Sequence, residues 1–309
     1  MKLDGLHHIT MITGDAPATV SFYADVLGLR LVKKTVNFDA PEAYHLYFGD
    51  EQGSPGSILT WFEFAGVQRG RAGAGMVDVI QLGVASEAAL DFWARRLEDH
   101  GHTTHREAGS LAFTDGDGLA LQLVVADDGN PPLRAVHPEV PAEHAILGVE
   151  GARALIARGL DADRALLTDT LGFAELSPGA YRLDGDTRHF HWAYEETDER
   201  GVPGAGTVHH IAWHAHDADH VDWQERVREV GMQVTPVIDR DYFHSIYFRQ
   251  PQGILFEIAT TSPGFAVDEE PDHLGEALRL PRQHEHLRAQ LERTLTPLVN
   301  PRAAAGLQA

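Results

Sequence analysis

Residues 6–13 read LHHITMIT, and residues 208–217 read VHHIAWHAHD. Both stretches contain a His-His pair followed by Ile, and the second histidines of the two pairs, His8 and His210, lie 202 residues apart. The alternation of apolar residues in each stretch predicts a β-strand. Because one strand pattern opens two distant parts of the chain, we expect an internally repeated fold.

Four segments of the chain share one pattern, which is an apolar strand, a helical stretch ending at or near a glycine, and closing strands around a glycine-containing turn. The opening strands are residues 6–13, 77–86, 145–151 and 208–217, and the helices are residues 20–29, 89–101, 165–173 and 221–231. A single unit leaves one face of its sheet uncovered, so units must pair. The sequence predicts an α+β fold of four tandem βαβββ units paired into two domains.

A proline-rich stretch at residues 127–144 marks the predicted linker. We expect residues 1–135 to form an N-terminal domain of two units and residues 136–265 to form a C-terminal domain of two units. The tail, residues 266–309, contains a predicted helix around residues 284–295. This tail would act as a helical clasp or as a contact in a homo-oligomer, and a frayed end is the remaining alternative.

Composition limits the function of the 309-residue chain, which has no cysteine and a formal net charge of −21. Without cysteine, any metal must be bound by His, Asp or Glu. The acidic balance argues against nucleic acid or an anionic membrane surface as a partner, and a small substrate fits better. The sequence has no apolar run of about 18 residues that could span a membrane, so we expect a cytoplasmic protein.

Two histidines occupy the same position in two of the repeats. His8 of the first unit matches His210 of the fourth. The corresponding positions in the second and third units hold Gln81 and approximately Ile146. Metal-capable side chains at this position are therefore expected in the first and fourth units alone.

The closing strands show a similar contrast. Glu257 lies in the apolar stretch GILFEIAT, residues 253–260. The equivalent position of the second unit holds Gln122, and Thr60 falls near it in the first unit. A buried carboxylate is costly unless it is paired or binds a metal, so Glu257 is the candidate acidic ligand.

Two neutral imidazoles and one carboxylate on one side of a ferrous ion form a facial triad that leaves positions open for substrate and O2. His8, His210 and Glu257 are the predicted ligands. The same donors would accept Mn or Zn, so the three residues alone do not identify the metal.

The stretches LHHITMIT, FYADVLGLRLVKKTVN (22–37), VHHIAW (208–213) and YFRQPQGILFEIAT (247–260) resemble the ring-cleaving dioxygenases that open hydroquinones. These enzymes are a branch of the vicinal oxygen chelate superfamily, which also contains glyoxalases and bleomycin-resistance proteins. The resemblance covers about residues 1–265. It implies two glyoxalase-like domains, Fe(II) held by two His and one Glu, and extradiol-type cleavage of a small aromatic diol with O2.

The resemblance also implies that five further residues contact substrate or oxygen: His7, Thr10, His209, Arg240 and Tyr247. Strand alternation places Thr10 on the same face as His8. The same alternation places His7 and His209 on the opposite face, so a bulge or a contact across the domain interface would be needed to bring them to the site.

Other histidine pairs are weaker metal candidates. One HxH pair is His189 with His191, and another is His284 with His286, and neither has an acidic partner matched in the repeats. His214 and His216 follow His210 on the same face of its strand and could line the cavity.

Two other functions are open to the same fold, because fold does not determine reaction. A glyoxalase-type isomerase or thiol transferase would use Zn, Ni or Mn, usually with two carboxylates drawn from paired units. A binding protein of the bleomycin-resistance type would need no metal, and it would leave the matched His-His-Glu set unexplained.

Overall fold

Four strand-and-helix units account for most of the chain in this computed structural model, which describes residues 1–127 and 129–304. The first unit contains β1 (Leu3–Thr13), α1 (Ala16–Val20) with a π-helical continuation (Ser21–Val26), β2 (Arg30–Val36), β3 (Tyr44–Gly49) and β4 (Ile58–Glu63). The second contains β5 (Met76–Val84), α2 (Glu87–Asp99), β6 (His105–Glu107), β7 (Ser110–Thr114) and β8 (Ala120–Val125).

The remaining two units repeat this order. The third contains β9 (Val149–Ile156), a π-helical turn (Leu166–Thr170), β10 (Ala174–Ser177), β11 (Ala180–Asp184) and β12 (His189–Glu196). The fourth contains β13 (Thr207–Ala215), a 3-10 turn (Asp217–Asp219), α3 (His220–Glu229), β14 (Ile238–Asp239), β15 (His244–Arg249) and β16 (Leu255–Ala259). The predicted α+β fold of four βαβββ units is confirmed.

The strands form two eight-stranded sheets. The strand order is β14-β15-β16-β13-β1-β4-β3-β2 in the first, called sheet I, and β10-β11-β12-β9-β5-β8-β7-β6 in the second, called sheet II. Sheet I therefore joins the first unit to the fourth, and sheet II joins the second unit to the third.

The sequence left open how the units pair in space, and the sheets do not pair the consecutive units within residues 1–135 or within residues 136–265. Each sheet takes one unit from each range. The connections between units explain this arrangement. The segment after the first unit runs beside the segment after the third, with bridges between Arg69 and Ala205 and between Arg71 and Val202. The repeat pattern does not reveal this pairing, because every unit offers a similar first strand.

β1 and β13, the strands with the His-His pairs, are antiparallel neighbours at the centre of sheet I, and Ile9 lies opposite Ile211. The pairing shifts by one residue at each His-His pair, which leaves His7 as an extra residue on β1 and His209 as an extra residue on β13. Such β-bulges interrupt strand alternation and redirect a side chain.

One apolar core extends across both sheets and includes the five fully buried tryptophans Trp61, Trp93, Trp192, Trp213 and Trp223. The ring centroids of Trp192 in sheet II and Trp213 in sheet I are 5.8 Å apart. Burial of this apolar surface stabilises the fold by about 25 cal/mol per Å². The two sheets are therefore packed as one body.

The segment after the fourth unit folds back onto the first. It contains 3-10 turns (Phe265–Val267, Pro271–His273 and Arg282–Leu287), α4 (Arg288–Thr294) and α5 (Pro301–Ala304). The ammonium of the fully buried Lys33 on β2 contacts the carboxylate of Asp268 at 2.6 Å and that of Glu269. The described part of the tail thus packs as a clasp on unit one. Across residues 1–127 and 129–304, no helix is long and apolar enough to cross a membrane.

Candidate metal centre

Three side chains from the first and fourth units converge in sheet I. His8 Nε2 lies 3.2 Å from His210 Nε2 and 3.3 Å from Glu257 Oε2, and His210 Nε2 lies 2.9 Å from Glu257 Oε2. All three side chains are buried. Among the described residues, this is the one group of three or more metal-capable side chains whose ligand atoms meet. We call it the triad.

The triad fits a metal ion. Glu257 Oε2 makes no hydrogen bond of acceptable geometry, although both Nε2 atoms lie close to it. A buried carboxylate oxygen without a donor is costly. Two ligand atoms at about 2.0–2.2 Å from one ion and at right angles to each other are about 3 Å apart. The observed separations of 2.9 to 3.3 Å agree with this facial arrangement.

The charges of the triad also suit a cation. Burial favours a raised pKa for Glu257, but the imidazoles of His8 and His210 hold it well below the ordinary value. Its second oxygen, Oε1, accepts a hydrogen bond from Ser245. Burial lowers the pKa of His210, so that ring is neutral and keeps a lone pair. The site thus offers one negative charge and imidazole nitrogens.

The first histidine of each pair contacts the second. His7 Nδ1 lies 2.8 Å from His8 Nδ1, and His209 Nδ1 lies 2.8 Å from His210 Nδ1. An imidazole that offers its Nε2 lone pair to an ion carries its hydrogen on Nδ1, and a neighbouring acceptor then fixes the ring. His7 and His209 are placed to be these acceptors. The bulges bring them there, which strand alternation alone did not predict.

A cavity of about 460 Å³ borders His8 and His210. Its walls include six apolar side chains that the sequence analysis did not identify: Phe38, Phe62, Phe64, Ile238, Phe243 and Leu255. They come from separate strands and loops, and no local pattern distinguishes them from ordinary core residues. A cavity of this size and lining suits a small aromatic molecule.

Arg240 and Tyr247 place polar atoms on the side of the cavity that the fourth unit forms, here called the unit-four wall. Arg240 Nε donates a hydrogen bond to Tyr247 Oη at 3.2 Å, and its Nη1 lies 3.3 Å from Asp39 of the first unit. Burial raises the pKa of Tyr247, so the phenol stays protonated. Because Oη already accepts from Arg240, the phenol hydrogen can be donated to another group.

A second polar group reaches the cavity from the first unit, where His45 and Tyr47 border it. The predicted site residues Thr10 and His7 do not border the cavity themselves, and Thr10 was the one member of this polar group predicted as a site residue. Tyr47 Oη lies 2.9 Å from His45 Nδ1. His45 Nε2 lies 2.9 Å from Thr60 Oγ1, and Thr60 Oγ1 lies 2.9 Å from Thr10 Oγ1. We call these four side chains the hydroxyl–imidazole chain. Thr10 lies on β1 opposite His210 of β13. This position agrees with the prediction that Thr10 shares a face of the sheet with the metal ligand His8.

The repeat could have revealed part of this group. Tyr47 lies opposite Thr60 in the first unit, as Tyr247 lies opposite Glu257 in the fourth. Thr60 therefore has the position of the carboxylate, as the sequence comparison indicated. His45 has no equivalent signal, because its counterpart two residues before Tyr247 is a serine.

Residues 5–129 and 154–258 match the Glyoxalase/Bleomycin resistance protein/Dioxygenase superfamily. The chain belongs to this superfamily. It is 44% identical to MhqO of Bacillus subtilis (strain 168), provisionally named a ring-cleaving dioxygenase, over 96% of this chain and 97% of MhqO. It is 33% identical to the chlorohydroquinone/hydroquinone 1,2-dioxygenase of Sphingobium indicum (strain UT26S), over 96% of this chain and 98% of that protein.

Solved structures agree with this assignment to the Glyoxalase/Bleomycin resistance protein/Dioxygenase superfamily. A crystal structure of a provisionally named dioxygenase from Bacillus subtilis subsp. subtilis str. 168 has a TM-score of 0.88 and 43% identity, covering 96% of this chain and 98% of that one. Glyoxalase I from Zea mays has a TM-score of 0.59 and 15% identity, covering 83% of this chain and 92% of that one. The second likeness shows the fold alone.

Sheet II repeats the strand arrangement of sheet I, and its described residues carry no metal-capable side chain at the three positions that correspond to the triad. The pairing partners of the strands show which residues correspond between the sheets. Val79 has the position of His210, Gly151 that of His8, and Gln122 that of Glu257. A Cβ atom at Gly151 would lie 2.6 Å from Gln81 Oε1 and 2.9 Å from the backbone oxygen of His191, so a larger side chain there would require a backbone shift. Gln81 instead donates to Gln122 Oε1 at 2.9 Å.

Two positions of the repeat alignment were therefore wrong. Gln81 lies two residues beyond the true counterpart of His210, and Ile146 precedes β9 altogether. The error arises because apolar and other residues alternate along much of β5. A shift of two residues preserves this alternation, so the sequence alone does not fix the alignment of β5 with the other units. The prediction that Gln122 matches Glu257 was correct.

The alternative histidine pairs lie outside the triad. His189 Nδ1 contacts Asp184 at 2.7 Å in sheet II, and His284 Nε2 lies 2.8 Å from the backbone oxygen of Phe38. His214 lies next to His7, with ring centroids 5.9 Å apart, and is not among the residues that border the cavity. These contacts favour structural roles.

Proposed function

We propose that this protein is an extradiol-type dioxygenase that opens the ring of hydroquinones with O2, and that His8, His210 and Glu257 hold Fe(II). The observation that carries the proposal is the convergence of two imidazoles and one carboxylate beside an aromatic cavity. The relative named chlorohydroquinone/hydroquinone 1,2-dioxygenase supports the substrate class. Mn and Zn could bind the same donors, so iron is part of the proposal.

A bound ferrous ion would supply open positions where a diol and O2 meet and through which electron density passes from one to the other. Glu257 compensates one of the two charges of such an ion. The remaining charge of about +1 favours an ionised phenolic oxygen next to the triad. His7 and His209 keep the two imidazole ligands oriented by accepting their Nδ1 hydrogens.

The para arrangement of a hydroquinone explains why the cavity needs further polar groups. A catechol can bind through both oxygens, whereas a hydroquinone binds through one and leaves the other hydroxyl at the far side of the ring. Arg240 and the protonated phenol of Tyr247 offer donors on the unit-four wall. The apolar walls then hold the ring and exclude water.

The rival reactions receive less support. A glyoxalase-type site usually has a second carboxylate from the paired unit, but Thr60 occupies that position here. A bleomycin-resistance-type binding protein would not need three buried ligand atoms within 4.8 Å of one another. The likeness to glyoxalase I at 15% identity concerns the fold and does not favour its reaction.

The test is anaerobic loading with Fe(II), followed by metal analysis and O2 uptake with hydroquinones, catechols and a methylglyoxal–glutathione adduct. We expect about one iron per chain and O2 uptake with hydroquinones carrying chloro or alkyl groups. Catechols favoured tenfold or more would overturn the substrate class. Full activity with Zn in an iron-free preparation would overturn the metal, and turnover of the adduct without O2 uptake would overturn the reaction.

A further inference from the structure

The hydroxyl–imidazole chain runs without a break through the first unit, with three successive contacts of 2.9 Å. All four side chains are buried, and Tyr47 and His45 border the cavity. Tyr47 and Thr10 form the two ends, and their hydroxyls have no other hydrogen-bonding partner among the residues that the structure describes. The Tyr47 end can therefore bond to a molecule in the cavity, whereas Thr10 is fully buried and keeps one bonding position of its hydroxyl open.

The number of protons in this chain is fixed by its chemistry. Three hydroxyl groups and one neutral imidazole carry four exchangeable hydrogens, and three hydrogen bonds use three of them. When His45 carries its hydrogen on Nε2, the spare hydrogen belongs to Thr10. When the hydrogen is on Nδ1, every bond reverses and the spare hydrogen belongs to Tyr47.

Two observations favour the neutral chain. Burial lowers the pKa of His45 well below its ordinary value. Burial likewise raises the pKa of Tyr47, so the phenol keeps its hydrogen. The imidazole is therefore neutral at physiological pH, and its two tautomers determine the direction of all three bonds.

The Thr10 end lies beside the triad. Thr10 is opposite His210 in the pairing of β1 with β13, and it is two residues after His8 on the same strand. The Tyr47 end lies deeper in unit one, where its ring is 5.1 Å from that of Phe265 in the clasp. The hydroxyl–imidazole chain thus links the cavity, at Tyr47, to the strand position beside the triad, at Thr10.

We propose that the hydroxyl–imidazole chain is a proton relay that moves one proton from the cavity, at Tyr47, to the neighbourhood of the triad, at Thr10. This inference rests on the proposed function, because ring opening takes a proton from the diol and adds protons to oxygen. In one concerted step, Tyr47 gains a proton from a diol hydroxyl and passes its own to His45 Nδ1. His45 passes its Nε2 proton to Thr60, and Thr60 passes one to Thr10.

Thr10 completes the step by giving its proton to a reacting oxygen atom. One O–H bond of the diol is broken and one O–H bond is formed at the acceptor, while the relay keeps its four hydrogens and its charge. Rotation of the hydroxyl groups and exchange of the His45 tautomer restore the starting state. His45 is a positioning residue in this scheme, because both of its nitrogens are occupied by protein hydroxyls.

The first experiment measures the His45 tautomer by ¹⁵N NMR on full-length protein loaded with diamagnetic Zn(II). Thr60→Val removes the partner of Nε2, so we expect His45 to carry its hydrogen on Nδ1 and donate to Tyr47. Tyr47→Phe removes the partner of Nδ1 and should give the opposite tautomer. The same tautomer in both variants, or a doubly protonated ring, would overturn the relay.

The second experiment compares the iron-loaded enzymes by O2 uptake. Thr60→Val keeps the shape of the side chain but breaks the relay, so kcat should fall by about 10², the low end for a positioned acid–base group. Iron content and anaerobic diol binding should not change. The dependence of kcat on the deuterium fraction of the solvent should be curved in the wild type and linear in the variant.

Tyr44→Phe is the matched control, because Tyr44 lies on the same strand as Tyr47 but its hydroxyl donates to Thr296 in the tail. Its kcat and solvent isotope effect should equal those of the wild type. A kcat for Thr60→Val within twofold of the wild type would overturn the relay. If the wild type takes up no O2 with any diol, the proposed function fails. The NMR experiment still tests whether the three hydrogen bonds of the hydroxyl–imidazole chain can reverse their direction.

Discussion

Glu257→Gln is the most direct test of the triad, since it replaces the anionic ligand with a neutral side chain of the same shape. Loss of a hydrogen-bonding partner behind a metal ligand typically lowers metal affinity about 10–100-fold. Loss of the charged ligand itself should therefore lower Fe(II) affinity by more than about 100-fold. That factor corresponds to more than about 2.7 kcal/mol of binding free energy.

The same substitution should not harm the metal-free fold. Glu257 is completely buried, and its Oε2 lacks a hydrogen bond of acceptable geometry. A neutral amide there is less costly to bury than a carboxylate. The amide also loses the attraction of His8 and His210 that holds the pKa of Glu257 well below its ordinary value. We therefore expect the metal-free variant to remain folded and to unfold at a temperature no higher than that of the metal-free wild type.

The assay is anaerobic Fe(II) titration with a competing chelator, combined with thermal unfolding of the metal-free proteins. His284→Ala is the control, because this alternative histidine contacts the backbone of Phe38 outside the triad, and its Fe(II) affinity should be unchanged. Wild-type affinity in Glu257→Gln would refute the assignment of this carboxylate as a ligand. Unfolding of the metal-free variant would instead show a structural role.

Three further predictions concern the cavity, the clasp and Asp115, which lies between β7 and β8. Tyr247→Phe should retain iron but lower O2 uptake with hydroquinones by about 10² to 10⁴, as expected for a positioned acid–base group. Lys33→Met removes the nearer cation of the buried Glu269 and leaves Arg279, whose Nε lies 3.8 Å away, so it should lower the free energy of unfolding in urea by about 3 kcal/mol, with partial recovery when Glu269→Gln is added. Burial raises the pKa of Asp115 from 3.8 to about 6, so the folded chain retains a proton that the unfolded chain loses. Stability from this group is present at low pH and is lost as the pH rises from about 4 through 6, by up to roughly 3 kcal/mol, and Asp115→Asn should remove this dependence in urea unfolding.

The unit fold and the triad were predictable because both depend on signals that repeat. Apolar alternation identified the strands, and the matched positions of His8 and His210 distinguished them from the other histidines. Glu257 stood out because a carboxylate within an apolar strand requires a partner. These signals are local, and they survive without any knowledge of how the units meet.

Unit pairing and register were not predictable in the same way. Which unit joins which depends on the paths of the connecting segments, and their sequences show no periodic pattern. The position of Gln81 was misassigned by two residues because a two-residue slip preserves the alternation of buried and exposed side chains. His45 escaped notice because it becomes significant through contacts with Tyr47 and Thr60, which three-dimensional packing creates.

The pairing of β1 with β13 also orders events during synthesis of the chain. In sheet II, Gln81 of β5 pairs with Gly151 of β9, whereas in sheet I, His8 of β1 pairs with Ala212 of β13. On the ribosome, β5 and β9 of sheet II can pair before β13 has been synthesised, while β1 of the first unit is still unpaired on that side. Unpaired strand edges are prone to associate with other chains, and distant pairings form slowly. We expect the nascent first unit to be the segment most in need of protection, and the metal site to form only after the fourth unit has been synthesised.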